Sequence, residues 1–407
     1  MTDRTDISFV ANSAARVPRQ EKTSTSVFSP ESARAARRFH RTLPGYTPTP
    51  LVKLPGLAGR LGVAEVWVKD ESKRFGLKAF KVLGASYAVA TVLAERLGLE
   101  PEKVTFAAFA PGQIRKQLRK MTVCTATDGN HGRAIAWAAE RLGCGAVVYM
   151  PRGTVAARFD AVASHGADVS LIDANYDGTV RRAAEDSDRN GWILVQDTAW
   201  AGYETIPLRI MQGYLSILDE ALEQLRGGIP SHVLVQAGVG SLAGALLGQL
   251  NERMGEKRPM FAVVEPTQAS CCFASIAAGT RDPRSLEGDL RTIMAGLACG
   301  TPSTVAWNIL RDYTDVFVAC SDAVAVCGMR SLARPLGGDP RIVSGESGAV
   351  TAGLLVTLLE PEGRGVFSDV VSTLRITASS RVLIISTEGD TDPDSYRTTV
   401  SGSARSD

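Results

Sequence analysis

Between residues 122 and 265 the chain alternates short apolar runs with longer amphipathic stretches. This rhythm limits the folds open to it more than any other feature. The apolar runs predict strands at 122–127, 146–150, 168–172, 192–196, 232–236 and 260–265. The stretches between them predict helices at 132–142, 155–165, 178–189, 207–225 and 242–254. Strand–helix–strand repetition specifies a parallel sheet with helices on both faces, an α/β fold. A strand at 65–68 followed by an apolar helix at 79–97 extends the pattern upstream, and strands at 315–318 and 382–386 extend it downstream. A further strand is expected at 104–109, ahead of a basic loop at 113–120. Polar, Ser/Thr/Arg-rich sequence at the start predicts a flexible arm over 1–34, within which a short helix opens at Pro30, and the last fifteen or so residues read as a tail.

In open parallel sheets ligands bind at the strand ends, so the loops after the strands carry the functional reading. Four stretches stand out. The first runs from Asp70 to Tyr87, where Lys81 lies between Phe80 and Val82 at a helix start. Such a lysine is either a snorkelling surface residue or a desolvated amine poised to form a Schiff base. Lys78 competes for that role but lacks the aromatic residue on its N-terminal side. The second is T-A-T-D-G-N-H-G at 125–132, where Asp128 and Asn130 serve either as turn and cap residues or as ligand contacts. The third is Q-A-G-V-G-S-L-A-G at 236–244, a glycine turn opening a helix. Backbone N–H groups there make an anion cradle, to which Ser241 can add a hydroxyl. It lacks the G-K-[ST] ending of a nucleotide P-loop, and its near match to a dinucleotide fingerprint is weak alone. The fourth is I-I-S-T-E-G-D at 384–390, where Ser386 or Thr387 can reach a ring nitrogen.

Composition removes other classes. A net charge of +2 leaves no electrostatic footprint for nucleic acid or an anionic membrane. No apolar run approaches the length of a membrane span, and the first residues lack the apolar core of a signal peptide. Seven cysteines without a C-x-x-C pair and four scattered histidines suggest reduced thiols and no metal cluster. A cytoplasmic setting is expected by elimination.

A lysine, a phosphate cradle, an Asn-bearing loop and a late hydroxyl together are what pyridoxal phosphate needs on such a scaffold. Six motifs carry the point further: R-F-G-L-K-A-F-K-V-L-G (74–84), T-A-T-D-G-N-H-G-R (125–133), V-Q-D-T-A-W-A-G-Y (195–203), G-V-G-S-L-A-G (238–244), S-G-E-S-G-A (344–349) and S-T-E-G-D-T-D (386–392). Over about residues 45–392 the chain resembles the fold-type II, tryptophan synthase β-like, pyridoxal-phosphate enzymes. Its motifs are most similar to those of members that eliminate ammonia from diaminopropionate.

The resemblance implies two open, twisted, mostly parallel sheets flanked by helices. A large domain would comprise 35–88 and 200–395, a small one 89–199, and the chain would form a homodimer. It implies that Lys81 carries the cofactor as a Schiff base and that Phe80 lies beside the ring. Asn130 would bond the ring's phenolic oxygen. Gly238, Val239, Gly240, Ser241 and Leu242 would hold the phosphate. Thr387 would face the pyridine nitrogen and leave it largely unprotonated. Two departures from the family pattern are Lys78 and Ala85. Lys78 adds a charge that can perturb the neighbouring lysine.

Substrate choice turns on carboxylates. Related dehydratases, which expel hydroxide, have a neutral serine where this chain has Asp128. A substrate with a β-ammonium group gives that carboxylate a charge-assisted partner, and 2,3-diaminopropionate fits. Asp197, in Q-D-T-A-W, is a second candidate for the same amine or a strand-end cap. Lys81 on one face and Asp128 on the other are the candidate bases, so D and L forms can both react. A serine/threonine dehydratase, a β-replacement synthase and a non-catalytic phosphate-binding module remain as alternatives.

Overall fold

The computed structural model describes residues 5–18 and 21–402. Among the described residues there are eleven strands: β1 (Ile7–Ala11), β2 (Leu51–Lys53), β3 (Glu65–Asp70), β4 (Thr122–Ala126), β5 (Gly145–Pro151), β6 (Asp168–Ile172), β7 (Ile193–Leu194), β8 (His232–Gln236), β9 (Met260–Pro266), β10 (Val316–Cys320) and β11 (Arg381–Ser386). They form two sheets. Seven strands run in the order β1-β10-β9-β8-β11-β3-β2 and four in the order β6-β5-β4-β7. The four-stranded sheet is wholly parallel. In the larger sheet only the outermost pairs are antiparallel: β1 on β10 and β2 on β3.

Helices pack on the sheets as the apolar patterns require. In the large sheet β8 and β10 are buried along their whole length, which is why both read as continuous apolar runs. The helix Lys81–Arg96 packs against Asn130–Leu142 and Thr205–Gln224. Its contact with Thr205–Gln224 is close because Gly84 and Gly213 face one another. A Cβ on Gly84 would lie 2.5 Å from Tyr214 Cε1, and one on Gly213 would lie 2.5 Å from Leu83 O. That approach seats the start of the lysine-bearing helix on a fixed base.

Four expectations are corrected. Ile7–Ala11 pairs with β10 and Phe28 is fully buried, so the described part of 1–34 is not a loose arm. Residues 1–4 and 19–20 of this arm, and 403–407 of the expected tail, lie outside the described residues. The strand expected at 104–109 is instead a short 3₁₀ turn, Phe106–Phe109, in which Phe109 is buried. An apolar run of that length does not distinguish strand from buried turn by periodicity. The expected tail contains the helix Pro393–Ser401, held by buried Tyr396 and capped by Asp392 on Ser395 N at 3.2 Å. The basic stretch predicted as a loop coils into the short helix Gly112–Leu118.

Candidate active site

The loops that follow β4, β8 and β11 meet the first turn of Lys81–Arg96 around a cavity of about 220 Å³. Phe80, Lys81, Asp128, Asn130, Asp197 and Thr387 all line it, as does the whole turn from Gly238 to Leu242. Residues singled out from five distant stretches of sequence therefore share one space.

Lys81 is the first residue of its helix, with Phe80 as cap. Its ammonium is ion-paired with the Asp197 carboxylate, and the side chains are 20% and 5% exposed. Burial works against the charge on Lys81, but Asp197 outweighs it and raises the amine well above its ordinary value. Burial likewise pushes the Asp197 carboxyl up, yet Lys81 and His131 outweigh it and hold it at about 2. His131 Nε2 donates to Val195 O at 2.9 Å, and its Nδ1 stands 3.9 Å from Asp197 Oδ2. Burial lowers this imidazole's basicity against the pull of Asp197. Asp128 keeps part of its surface open to the cavity, and burial pushes its carboxyl up against the pull of Arg158 and Lys81. A carboxyl so shifted is better matched to taking a proton near neutral pH. Lys78, the competing lysine, points elsewhere. It pairs with Asp390 Oδ1 at 2.8 Å, 42% exposed, and is outside the cavity lining.

The turn after β8 is shaped for an anion. Gly240 has φ +92°, a left-handed conformation that disfavours side chains, and a Cβ there would meet Leu310 Cδ1 at 2.8 Å. A Cβ on Gly238 would crowd Cys299 Sγ at 3.1 Å and Gly296 O at 3.2 Å. The helix Ser241–Met254 begins at this turn, and its first N–H groups have no intrahelical partners. One detail differs from expectation. The Ser241 hydroxyl donates to Asp197 O at 2.8 Å, so its hydrogen ties the cradle to the aspartate loop and leaves only lone pairs for other contacts.

Two amides frame the rest. Asn130 Nδ2 donates to Glu388 Oε2 at 2.5 Å, while Glu388 Oε1 accepts from Ser347 N at 3.1 Å. Gln236 Nε2 donates to Ser347 O and to Thr387 Oγ1, both at 2.8 Å. Gln236 Oε1, Ser347 Oγ and His131 Nδ1 are buried without hydrogen-bond partners, and all three residues line the cavity. Buried polar atoms are normally satisfied, so three orphans around one cavity fit a polar ligand. An anion cradle, a lysine, an amide donor and a hydroxyl fit the phosphate, aldehyde, phenolic oxygen and ring nitrogen of pyridoxal phosphate.

Sequence reasoning missed several lining groups. Glu388 stood inside the S-T-E-G-D motif without a role. Gln236 ended a predicted strand. Tyr176, Tyr214 and Cys299 carried no local signal, because they reach the cavity from a helix start, a helix interior and a loop.

The family model for pyridoxal-phosphate dependent enzymes matches residues 42–374. Diaminopropionate ammonia-lyase of Escherichia coli K12 is 47% identical over 377 residues, covering 92% of each chain. The crystal structure of the Escherichia coli enzyme with an aminoacrylate–PLP azomethine reaction intermediate superposes with a TM-score of 0.87. It is 44% identical and covers 98% of this chain and 97% of the other. Another structure of that enzyme, in complex with D-serine, gives 0.86 at 42% identity, covering 97% of each chain. Threonine deaminase isoform 2 from Solanum lycopersicum, 20% identical with a TM-score of 0.71 and coverages of 97% and 98%, shares the fold. The chain belongs to the pyridoxal-phosphate dependent enzymes, and within them to the family of the diaminopropionate ammonia-lyases.

Proposed function

We propose that this chain is a carbon–nitrogen lyase that removes the β-amino group of 2,3-diaminopropionate, yielding pyruvate and two molecules of ammonia. The observation that carries the reading is the pair of aspartates, Asp128 and Asp197, sharing one cavity with Lys81. Two carboxylates there complement a substrate bearing two amines, and a serine or threonine substrate gives the second carboxylate only a neutral hydroxyl in place of a charged partner. The relatives named above support the same choice.

When bound, pyridoxal 5′-phosphate supplies an aldehyde that links to an amine and a ring that draws off the electrons left when an α-proton departs. The chain's residues do the rest. Gly238 to Leu242 hold the phosphate through backbone N–H groups, and Phe80 packs beside the ring. Asn130 donates to the phenolic oxygen and Thr387 faces the ring nitrogen. Lys81 anchors the cofactor and, once displaced, moves a proton at the substrate's α-carbon on one face. Asp128 moves a proton at the same carbon on the opposite face, or meets the β-ammonium. Asp197 stabilises the ammonium of Lys81 and, as a carboxylate, meets the β-ammonium of the substrate before it leaves. The released aminoacrylate hydrolyses in water to pyruvate and the second ammonia.

The structure's helices among the described residues include none long and apolar enough to cross a membrane. A homodimer and a cytoplasmic setting belong to the same proposal and rest on the family resemblance. So does the division into a large domain (35–88 and 200–395) and a small one (89–199). The four-stranded sheet, which lies within residues 122–194, supports that division.

The test is a substrate panel on purified holoenzyme, reading ammonia and pyruvate from D- and L-diaminopropionate, serine and threonine. Preference for diaminopropionate by kcat/KM supports the proposal. Preference for serine or threonine replaces it with a dehydratase, and no turnover on any of them leaves a binding module.

A further inference from the structure

The Lys81 ammonium has three donors, and the only hydrogen bond it makes among the described residues is to Asp197. In the reaction proposed above Asp197 also meets the substrate's β-ammonium, and a carboxylate drawn to that second cation holds Lys81 less firmly. Another partner for the amine lies on the same wall. Tyr214, in the interior of the helix Thr205–Gln224, is 1% exposed and lines the cavity with Lys81 and Asp197. Its hydroxyl is buried without a hydrogen-bond partner, which buried polar groups seldom are. Two contacts fix where its ring lies. Gly84 is three residues on from Lys81 and shares its helix face, and a Cβ there would meet Tyr214 Cε1 at 2.5 Å and Cζ at 2.7 Å. Cζ carries the hydroxyl, so that end of the ring rests against the lysine-bearing turn. Phe80 closes on the ring with centroids 4.8 Å apart. Burial pushes the Tyr214 hydroxyl up from its ordinary value against the pull of Lys81, so it stays neutral.

We infer that Tyr214 is a positioning residue whose hydroxyl oxygen accepts a hydrogen bond from the Lys81 amine once the substrate has displaced it, and so aims the amine's lone pair at the α-carbon. This rests on the lyase reading above and deepens it. A freed, neutral lysine amine has two hydrogens and one lone pair. Taking the α-proton needs the lone pair at the carbon, so the hydrogens must be held elsewhere. The phenol oxygen holds one of them from a ring that Gly84 and Phe80 keep in place. In the step itself the amine lone pair bonds to the α-proton and Lys81 becomes an ammonium. The C–H electron pair stays with the substrate, from which the β-amine later departs. Tyr214 keeps its own proton throughout. Hydrogen bonds to charged groups are the stronger ones, so this contact tightens as the proton moves. Asp128 acts on the opposite face, so the two enantiomers depend on Tyr214 unequally.

The test is Tyr214→Phe in the full-length holoenzyme, which removes only the hydroxyl. Melting temperature and cofactor retained after dialysis are expected to match wild type, because the lost group has no partner before substrate arrives. For the enantiomer of diaminopropionate that Asp128→Asn spares, kcat is expected to fall about 10- to 100-fold with KM little changed. The other enantiomer should change far less. With the spared enantiomer deuterated at the α-carbon, the variant should show a primary isotope effect on kcat, since proton removal is the step made slower. Equal losses for both enantiomers overturn the inference, as does full activity of the variant or a slowed variant without an isotope effect. A second readout does not depend on turnover. Crystals of wild-type holoenzyme soaked with the spared enantiomer should place Lys81 Nζ within about 3.2 Å of Tyr214 Oη. A displaced Lys81 that stays on Asp197 overturns the inference while leaving the lyase reading intact. Wild type that releases no ammonia from either enantiomer overturns the lyase reading and takes this inference with it.

Discussion

Two ionic clusters lie a few residues apart in sequence and behave in opposite ways. Lys69, Glu71, Arg74 and Glu220 form one. Arg74 Nη2 bonds Glu71 Oε1 and Glu220 Oε2 at 2.8 Å each, Lys69 Nζ bonds Glu220 Oε2 at 2.7 Å, and all four side chains are fully buried. Tyr46 and Thr49 complete the shell, donating to Glu220 and Glu71 at 2.6 Å. Two cations face two anions, and every donor of Lys69 and Arg74 has an acceptor. Lys81, Asp197, Asp128 and His131 form the other. It borders a cavity, carries an unsatisfied imidazole nitrogen, and includes Asp128, a carboxyl for which burial opposes ionisation. The contrast separates a lysine that holds the fold from one that does chemistry. Both are buried among acids, but only the second has a neighbourhood left incomplete.

Four substitutions probe this contrast. Lys81→Ala is expected to abolish turnover and borohydride-trapped cofactor, read by mass spectrometry. Its melting temperature should fall less than that of Arg74→Leu, because Asp197 beside an open cavity can take a proton. Retained trapping on Lys78 would end the assignment. Asp128→Asn should cost one enantiomer of diaminopropionate about 10²–10⁴-fold in kcat/KM and the other far less. Equal losses for both would remove the second base. Arg74→Leu breaks a closed network and should cost about 3–5 kcal/mol in denaturant unfolding. Glu220, whose carboxyl burial pushes up but Arg74 and Lys69 hold down at about 2, stabilises the wild type above its unfolded value. That contribution is lost as pH falls toward 2, and the variant should show a shallower acid limb. A loss below about 1 kcal/mol would mean the two clusters are not different in kind. Lys78→Ala should leave cofactor and turnover intact and shift stability by no more than about 0.5 kcal/mol. A larger effect would draw its exposed pair with Asp390 into the site.

The strand–helix rhythm was legible because the central parallel strands β8, β9 and β11 are buried along nearly their whole length, so they read as apolar runs between the helical stretches. The site loops were legible because glycine and capping residues mark where strands end. Lys81 was preferred to Lys78 for the aromatic residue on its N-terminal side, Phe80, which Lys78 lacks. Glu388 and Gln236 were not legible as site residues. Their roles depend on Asn130, Ser347 and Thr387, which these contacts reach across 41 to 258 positions. Ile7–Ala11 was missed for a similar reason. Its alternation spans five residues, and its partner strand lies some 300 positions downstream.

That terminal strand has a consequence for handling the protein. β10, Val316–Cys320, is entirely apolar, and Ile7–Ala11 occupies its outer row of backbone N–H and C=O groups. Deleting the first dozen residues would leave V-F-V-A-C as an open, uncharged edge, a template for another chain to add a strand. A truncated or N-terminally cleaved preparation would then fail by self-association while its catalytic groups stayed intact. Loss of soluble yield on trimming this end would therefore say nothing about the chemistry.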